Sequence, residues 1–228
     1  MIPTVYEQVR CSGWDDFAPK VDNLHPKKQP KNDQWIFRGE CNARWDLKTR
    51  LERPFEPYGV HGEERAKIES QWVREFQRRL DHYMDDVPDR DQRDELWALM
   101  QHYGTPTRLL DFTYSPFVAL YFALENAKRR SEVAVWAVNT DWCKNQLSSI
   151  SPLLASLHVE HQRSRTSASF QALFRFTPSK FVLHMTPMLL NNRMAYQRGT
   201  CLCPSDINAR FEENLGAFAQ NEKPNTNV

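Results

Sequence analysis

The sequence lacks the long apolar segments by which membrane-spanning and secreted chains are identified. No apolar run approaches the roughly 18 residues that a transmembrane helix needs. The N-terminal segment, MIPTVYEQVR, contains no apolar signal core. The formal net charge is +1, which excludes a strong overall polycation or polyanion. We therefore expect a cytoplasmic protein without a membrane partner.

Disulfide and metal-binding patterns are also missing. The five cysteines are scattered, and Cys201 and Cys203 are too close for an ordinary disulfide or a CxxC half-site. This usage favours a reducing, intracellular compartment. His158 and His161 flank Glu160, but no third ligand stands out, so we expect no metal ion. An acidic cluster suited to two metal ions is not visible either, which disfavours a nuclease.

Several common catalytic and nucleotide-binding motifs are absent as well. The sequence contains neither GxGxxG nor GxxxxGK[ST], so the usual phosphate-binding loops are missing. It contains no HExxH and no GxSxG, and no cysteine has an obvious basic activator nearby. Any chemistry of this chain must therefore come from a less common arrangement of side chains.

The chain does contain ample apolar material for a core. Hydrophobic residues make up 40% and aromatic residues 12% of its 228 residues. The predicted elements follow a mixed order rather than a βαβ alternation, which predicts an α+β fold in a single domain. Loops are predicted at 20–33 and 53–62, and helical signals dominate 140–176. Further helices are predicted from Ser12, at Glu63–Tyr83, from Asp91 to Tyr103, from Pro116 to Leu124 and at Ser205–Phe218. Strands are predicted at Trp35–Phe37, Glu132–Val138, Phe181–Met185 and Thr200–Cys203.

One segment, from Gln101 to Ala123, concentrates polar and rigid residues beyond what a core segment needs. It is QHYGTPTRLLDFTYSPFVALYFA. Gly104 interrupts a helical pattern, and Pro116 begins an apolar helix at the position that proline tolerates best. Polar loops that lead into a helix commonly carry ligand-binding groups. The segment is therefore one half of a predicted site, and the short apolar strand that begins at Trp35 is the other half.

Arg38 and Asp111 are the charged candidates in these two segments. A guanidinium at a strand end beside Gly39 suits a phosphate or carboxylate clamp. A structural salt bridge, to Asp111 or Glu40, is the alternative explanation of Arg38. Asp111 follows two leucines, so its carboxylate requires a partner, for which Arg108 and Arg38 are the candidates.

Uncharged side chains complete the predicted site. His102 and Tyr103 lie at a predicted helix end, where they suit ligand contact or, alternatively, a helix cap and a core position. Thr113 and Ser115 suit capping of the following helix as well as ligand orientation. Gln197 precedes a predicted strand, where its amide suits a hydrogen bond to a ligand, or simple surface exposure.

Three stretches together resemble the FRG domain family: Phe37-Arg38-Gly39, Gln101–Ala123 and Arg193-x-x-x-Gln197-x-Gly199. The family is named for its Phe-Arg-Gly motif, and its central pattern, QHxGxPTRLLDxTxSPxxALYFA, matches almost every position. The resemblance implies an FRG domain at 12–204, after an extension at 1–11 and before a helix and frayed tail at 205–228. FRG domains occur in bacterial and phage proteins, some near toxin or defence genes.

A more distant resemblance connects the chain with ADP-ribosyltransferases, in which three separated motifs surround NAD. It implies an ADP-ribosyltransferase-like core of short mixed strands surrounded by helices. The implied catalytic residues are Arg38, Asp111 and Gln197. Because the amide of Gln197 carries no negative charge, either Asp111 or Glu160 supplies that charge, or the reaction is slow, or the domain only binds a nucleotide. The residues implied to bind NAD are Arg38, Gly39, His102, Tyr103, Thr113, Tyr114, Ser115 and Tyr121.

The implied function is an ADP-ribosyltransferase-like toxin or phage-defence effector that transfers ADP-ribose from NAD to a macromolecule. The acceptor is expected to be nucleic acid or protein, and a toxin implies a neutralising protein partner, an antitoxin. A basic run in the later half favours nucleic acid: Arg163, Arg165, Arg175 and Lys180. The alternative is a non-catalytic nucleotide- or protein-binding module that uses the same cleft.

Overall fold

A computed structural model of the chain describes residues 6–24, 35–60, 63–80, 88, 92–174, 179–187 and 192–219. The strands within these ranges are β1 (Trp35–Glu40), β2 (Leu110–Thr113), β3 (Ala134–Asn139), β4 (Val182–Met185) and β5 (Gly199–Pro204). The helices are α1 (Trp14–Leu24), α2 (Glu52–Phe55), α3 (Glu63–Leu80), α4 (Arg93–His102), α5 (Pro116–Glu125), α6 (Thr140–Ile150), α7 (Pro152–Ser164), α8 (Ser167–Leu173), α9 (Asn192–Tyr196) and α10 (Phe211–Ala219), with a 3₁₀ turn at Glu56–Tyr58.

The described strands form one five-stranded sheet in the order β3-β1-β2-β5-β4. Every neighbouring pair is antiparallel, whereas strands of mixed direction were expected. The ladder of β1 with β3 is continuous from Trp35↔Asn139 to Glu40↔Ala134. Helices surround this sheet, so the predicted α+β fold is confirmed.

Two hydrophobic clusters hold the helices on the sheet. A large cluster surrounds β2, β4 and β5 and includes Phe112, Val182 and Leu202, all buried. A small cluster joins α1, α5 and β1 through Val21, Phe37 and Ala119. Side chains alternate between the faces of a strand, so Phe37 contacts α5 while its neighbour Ile36 belongs to the large cluster.

Local composition misplaced several element boundaries. Residues 20–24 were expected in a loop but continue α1, because Val21 is buried against β1 and α5. Residues 53–58 were also expected in a loop but form α2 and the 3₁₀ turn, where the Glu52 carboxylate accepts the amide protons of Thr49 and Phe211. The closing helix begins at Phe211 rather than at Ser205.

The predicted buried strand at Glu132–Val138 is shorter and more exposed than expected. It begins at Ala134, and Val135 and Trp136 are only half buried. The reason is its place at the end of the described strand order, where β1 is its neighbour. Three predicted features lie outside the described residues: the cap at Asp91, the end of the helix at 81–83 and the tail at 220–228.

Candidate functional site

The guanidinium of Arg38 links β1 and β2 where the two strands separate. Phe37↔Thr113 is the one register pair recorded between them in the described residues. One residue farther along β1, Arg38 Nη1 donates to the main-chain oxygen of Asp111 at 2.9 Å. Arg38 Nε donates to Glu40 Oε1 at 2.8 Å, and the Arg38 side chain retains 18% exposure. The expected salt bridge to Glu40 is therefore present, and it already holds the guanidinium.

The carboxylate of Asp111 is exposed and forms no ion pair within the described part of the chain. Gln101 Nε2 donates to its Oδ1, and Cys201 Sγ lies 3.7 Å from the same oxygen. Burial raises the pKa of the Cys201 thiol well above its ordinary value, and the negative charge of Asp111 raises it further. The thiol therefore remains a neutral donor. The expected pairing of the Asp111 carboxylate with Arg108 or Arg38 is wrong, because its exposure removes the need for an arginine partner.

Arg108 instead forms a buried ion pair with Glu69 of α3. Its Nε and Nη2 donate to the two carboxylate oxygens of Glu69, the first at 2.7 Å. The guanidinium also lies over the rings of Trp97 and Phe174, 4.7 and 5.3 Å from their centroids. Burial lowers the pKa of Arg108, but the Glu69 carboxylate more than offsets this, and the pKa is raised. Arg108 therefore fixes α3 to the core.

Gly39 provides close packing between β1 and α5. A Cβ at this position would lie 1.9 Å from the main-chain oxygen of Ala119 and 2.6 Å from the main-chain nitrogen of Ala123. The close backbone approach that glycine permits is therefore used by α5. A ligand cannot make the predicted contact with Gly39 from this side of the strand, because the α5 backbone occupies the space.

Thr113, Ser115 and Gln197 come together at the end of β2. Thr113 Oγ1 donates to the main-chain oxygen of Gln197 at 2.6 Å and accepts the amide of Ser115 at 3.0 Å. Ser115 Oγ accepts the amide of Val118 at 3.3 Å, so Ser115 is the N-cap of α5. The capping role is confirmed for Ser115, and Thr113 connects it to the turn before β5.

Tyr114 extends this group into the core. Its hydroxyl lies 3.2 Å from His184 Nε2 and 3.2 Å from Thr186 Oγ1. His184 Nε2 is also 2.9 Å from Thr200 Oγ1. Burial lowers the pKa of His184 to about 3, so the imidazole is neutral at physiological pH. The Tyr114 ring is therefore held firmly at the sheet surface.

An open pocket of about 270 Å³ lies beside this group, at the N-terminal end of α5. Asp22 and Phe117 at its rim are exposed, and Arg198 belongs to the turn between α9 and β5. Sequence reasoning missed Asp22 and Arg198, because α1 and this turn meet only in the folded chain. The lining residues are Val21, Asp22, Tyr114, Ser115, Pro116, Phe117 and Arg198.

The remaining predicted ligand-binding residues lie on the surface. His102 and Tyr103 are exposed at the end of α4, with their ring centroids 5.1 Å apart. Tyr103 also lies 6.2 Å from the Phe76 ring. Tyr121 is 58% exposed, and its hydroxyl donates to Glu125, which raises the pKa of the phenol. None of these three residues lines the pocket.

The structure thus separates the predicted site into two groups. Arg38 contacts Asp111, which lies near the start of β2. Thr113, Ser115 and the main chain of Gln197 meet beyond its other end. The side chain of Arg38 and that of Thr113 project from opposite faces of the sheet, since Thr113 pairs with Phe37.

Other predicted features are dispersed. Lys180 Nζ lies 3.0 Å from Glu213 Oε2, so its charge is paired, and Arg175 lies outside the described residues. The predicted basic run is therefore described only in part, and its role in binding nucleic acid stays a prediction. Over the described ranges, no group of three or more His, Cys, Asp or Glu side chains could hold a metal ion. No described helix is long and apolar enough to cross a bilayer.

Comparison with known proteins supports the FRG resemblance. The family model described as FRG domain matches residues 33–132, a segment that includes β1, β2 and α5. No curated protein and no solved structure matches the chain. The resemblance to ADP-ribosyltransferases and the boundaries at 12 and 204 therefore stay predictions. The matched segment contains both Phe37-Arg38-Gly39 and the Gln101–Ala123 motif, and on this basis the chain contains an FRG domain.

Proposed function

We propose that this FRG domain binds a nucleotide, with NAD as the expected ligand, in the pocket at the N-terminal end of α5. The observation that carries the proposal is the lining of this pocket, which combines a guanidinium, a carboxylate and two aromatic rings. Its volume of about 270 Å³ lies just below the range of roughly 300–1,000 Å³ typical of small-molecule sites.

Each lining group has chemistry suited to part of a dinucleotide. The Arg198 guanidinium suits a pyrophosphate, since arginine forms bidentate hydrogen bonds with phosphate oxygens. The rings of Tyr114 and Phe117 suit stacking against a nicotinamide or adenine. The Tyr114 ring is held in place by His184 and Thr186, so little conformational entropy is lost when a ligand packs against it.

Arg38 supports this pocket indirectly. Its guanidinium joins β1 to the main chain of Asp111, and Asp111 begins the short segment that leads to Tyr114. Two of its donors are already used in these structural bonds. Because Arg198 lines the pocket and Arg38 does not, we assign the phosphate contact to Arg198 and a strand-positioning role to Arg38.

A second candidate function is ADP-ribose transfer from NAD, as a toxin or defence effector. The Asp22 carboxylate favours it, because Asp22 lines the same pocket as Arg198 and supplies the negative charge that Gln197 lacks. The bond between nicotinamide and ribose C1′ would break with its electron pair leaving on nicotinamide. An acceptor nucleophile would then bond to C1′ and lose its proton to solvent, and Asp22 would stabilise the positive charge on the ribose in between.

Calorimetry with NAD, together with measurement of nicotinamide release, tests both candidates. We expect stoichiometric NAD binding that weakens at least about tenfold in Arg198→Gln, which keeps the stem of the side chain and removes its charge. Arg79→Gln, an exposed arginine of α3, is the matched control. Binding without nicotinamide release supports the binding module alone. Release that is lost in Asp22→Asn supports transfer, and absence of NAD binding contradicts both.

A further inference from the structure

Two exposed turns lie side by side at the far end of the β1–β3 ladder. The turn after β1 is held by hydrogen bonds from the amides of Arg44 and Trp45 to Asn42. The turn before β3 is held by bonds from Ser131 to the main-chain oxygen of Lys128. The amide of Ala43 donates to the main-chain oxygen of Glu132 at 2.9 Å and joins the two turns.

These turns carry a concentration of positive charge. Lys128, Arg129 and Arg130 are consecutive and exposed, and Arg44 is exposed on the adjoining turn. None of these four side chains forms an ion pair with another described residue. Three exposed carboxylates adjoin these four cations: Glu132 in the turn before β3, Asp46 directly after Trp45, and Glu125 at the end of α5. In a chain whose formal net charge is +1, this is a local excess of cations.

An aromatic ring accompanies the charge. Trp45 is 50% exposed although it follows a structured turn. A tryptophan held open to solvent beside unpaired cations is the arrangement by which proteins bind single-stranded nucleic acid. Bases stack on the ring while phosphates contact the arginines. We define the basic turn surface as Arg44, Trp45, Lys128, Arg129 and Arg130.

An exposed stripe on α5 connects this surface with the pocket. Phe117, Tyr121 and Leu124 are 49%, 58% and 55% exposed and follow one face of the helix. Ala119 and Ala123 are buried on the opposite face, over Gly39. Phe117 lines the pocket, and the basic turn follows the C-terminal end of α5. A helix of this length spans about 15 Å, so one extended ligand reaches both ends.

We propose that the basic turn surface binds single-stranded nucleic acid and that the α5 stripe guides it towards the pocket. The inference rests on the second candidate function, which it deepens by naming the chemical class of the acceptor. Charge complementarity favours nucleic acid, and the exposed rings favour unpaired bases over a duplex, whose bases are already stacked.

The test is fluorescence anisotropy of a labelled oligouridylate of about 12 nucleotides, without NAD, with the same length of single-stranded DNA and of duplex DNA as comparison arms. The triple variant Lys128→Gln/Arg129→Gln/Arg130→Gln removes three charges. Its matched control is Arg74→Gln/Arg78→Gln/Arg79→Gln, three exposed arginines of α3. Each variant is checked for an unchanged circular dichroism spectrum.

We expect single strands to bind more tightly than the duplex, and the turn variant to weaken binding at least about tenfold. Its slope of log affinity against log salt should fall by about 2, because each lost phosphate contact contributes about 0.7 for single strands. Trp45→Ala should weaken binding at least about fivefold. Equal losses in the turn variant and the α3 control would overturn the proposal, as would stronger association with phosphatidylserine vesicles than with the oligonucleotide.

This experiment separates the inference from the proposed function. Oligonucleotide binding without nicotinamide release would support the nucleic-acid surface and reject the transfer reaction. Nicotinamide release without oligonucleotide binding would reject the nucleic-acid surface and support cleavage of NAD in the pocket.

Discussion

At the residue scale, the three letters of the Phe-Arg-Gly motif have distinct structural explanations. Phe37 packs against α5 and α1, Arg38 binds Glu40 and the main chain of Asp111, and Gly39 admits the backbone of α5. The motif therefore fixes the position of α5, whose N-terminal end forms the pocket. Sequence alone predicted that Gly39 permits close approach, but not that a helix occupies the space.

Gly39→Ala should destabilise the protein severely. The added Cβ would meet main-chain atoms of Ala119 and Ala123, which cannot move without displacing α5. We expect the free energy of unfolding to fall by about 3 kcal/mol or more, at the upper end of the range for overpacked cores. Urea denaturation measures it. Gly13→Ala is the control, since nothing lies within 4 Å of a Cβ at Gly13. Similar stability of both variants would disprove this packing.

Arg38 and Glu40 should behave as a coupled pair. Arg38→Met leaves the buried Glu40 carboxylate without its cation, so we expect a loss of about 3 kcal/mol in the free energy of unfolding. Arg38→Met/Glu40→Gln removes the stranded charge and should recover most of this loss. A double variant no more stable than the single one, in chemical denaturation, would show that Glu40 is not the main partner of Arg38.

At the element scale, the ion pair of Arg108 with Glu69 attaches α3 to the core beside α4 and β5. Arg108→Met strands the Glu69 carboxylate, whose side chain is 3% exposed. We expect a loss of about 3–5 kcal/mol, and recovery in Arg108→Met/Glu69→Leu, since apolar replacement of a whole buried pair is often neutral. Equilibrium unfolding of the two variants and the wild type measures this, and equal stability of the three would contradict the assignment.

The placement of elements was predictable where local signals are strong. The helix at Pro116, the Ser115 cap and the strands near Trp35, Phe181 and Thr200 are all found in the structure. The end of α1 was missed because the prolines and lysines of residues 20–33 indicate a loop, whereas burial of Val21 extends the helix. Tertiary contacts of this kind leave no trace in local composition.

At the scale of the whole molecule, buried neutral histidines should make stability depend on pH. Burial lowers the pKa of His158 to about 4 and that of His184 to about 3. The unfolded chain, with histidine pKa values near about 6.5, binds more protons than the folded one. Stability is therefore complete above about pH 6.5 and falls as the pH decreases towards 4.

Each histidine should contribute a slope of up to about 1.4 kcal/mol per pH unit in this window. Urea denaturation at pH values between about 5 and 7 measures the combined slope, and His158→Gln should reduce it by about half. The control is His102→Gln, because His102 is exposed. A flat profile for the wild type, or equal slopes for both variants, would contradict the buried neutral state.

The candidate site was only partly predictable from the sequence. The Gln101–Ala123 motif identified Tyr114 and Ser115, which line the pocket. Asp22 and Arg198 were missed because they are far apart in sequence, and Arg198 occupies an unspecified position of the Arg193-x-x-x-Gln197-x-Gly199 pattern. Arg38 was predicted to bind a ligand because an arginine in a short strand suits an anion. The sequence could not show that Arg38 instead contacts the main chain of Asp111, since this contact depends on how β1 and β2 separate.

The central claim is that the ligand pocket lies at the N-terminal end of α5 and includes Arg198. Calorimetric titration of NAD into Arg198→Gln and into the folded Arg38→Met/Glu40→Gln variant tests it most directly. We predict that Arg198→Gln weakens NAD binding at least about tenfold, while the Arg38/Glu40 variant binds within about twofold of the wild type. Loss of binding in the Arg38/Glu40 variant, with unchanged affinity in Arg198→Gln, would contradict the account.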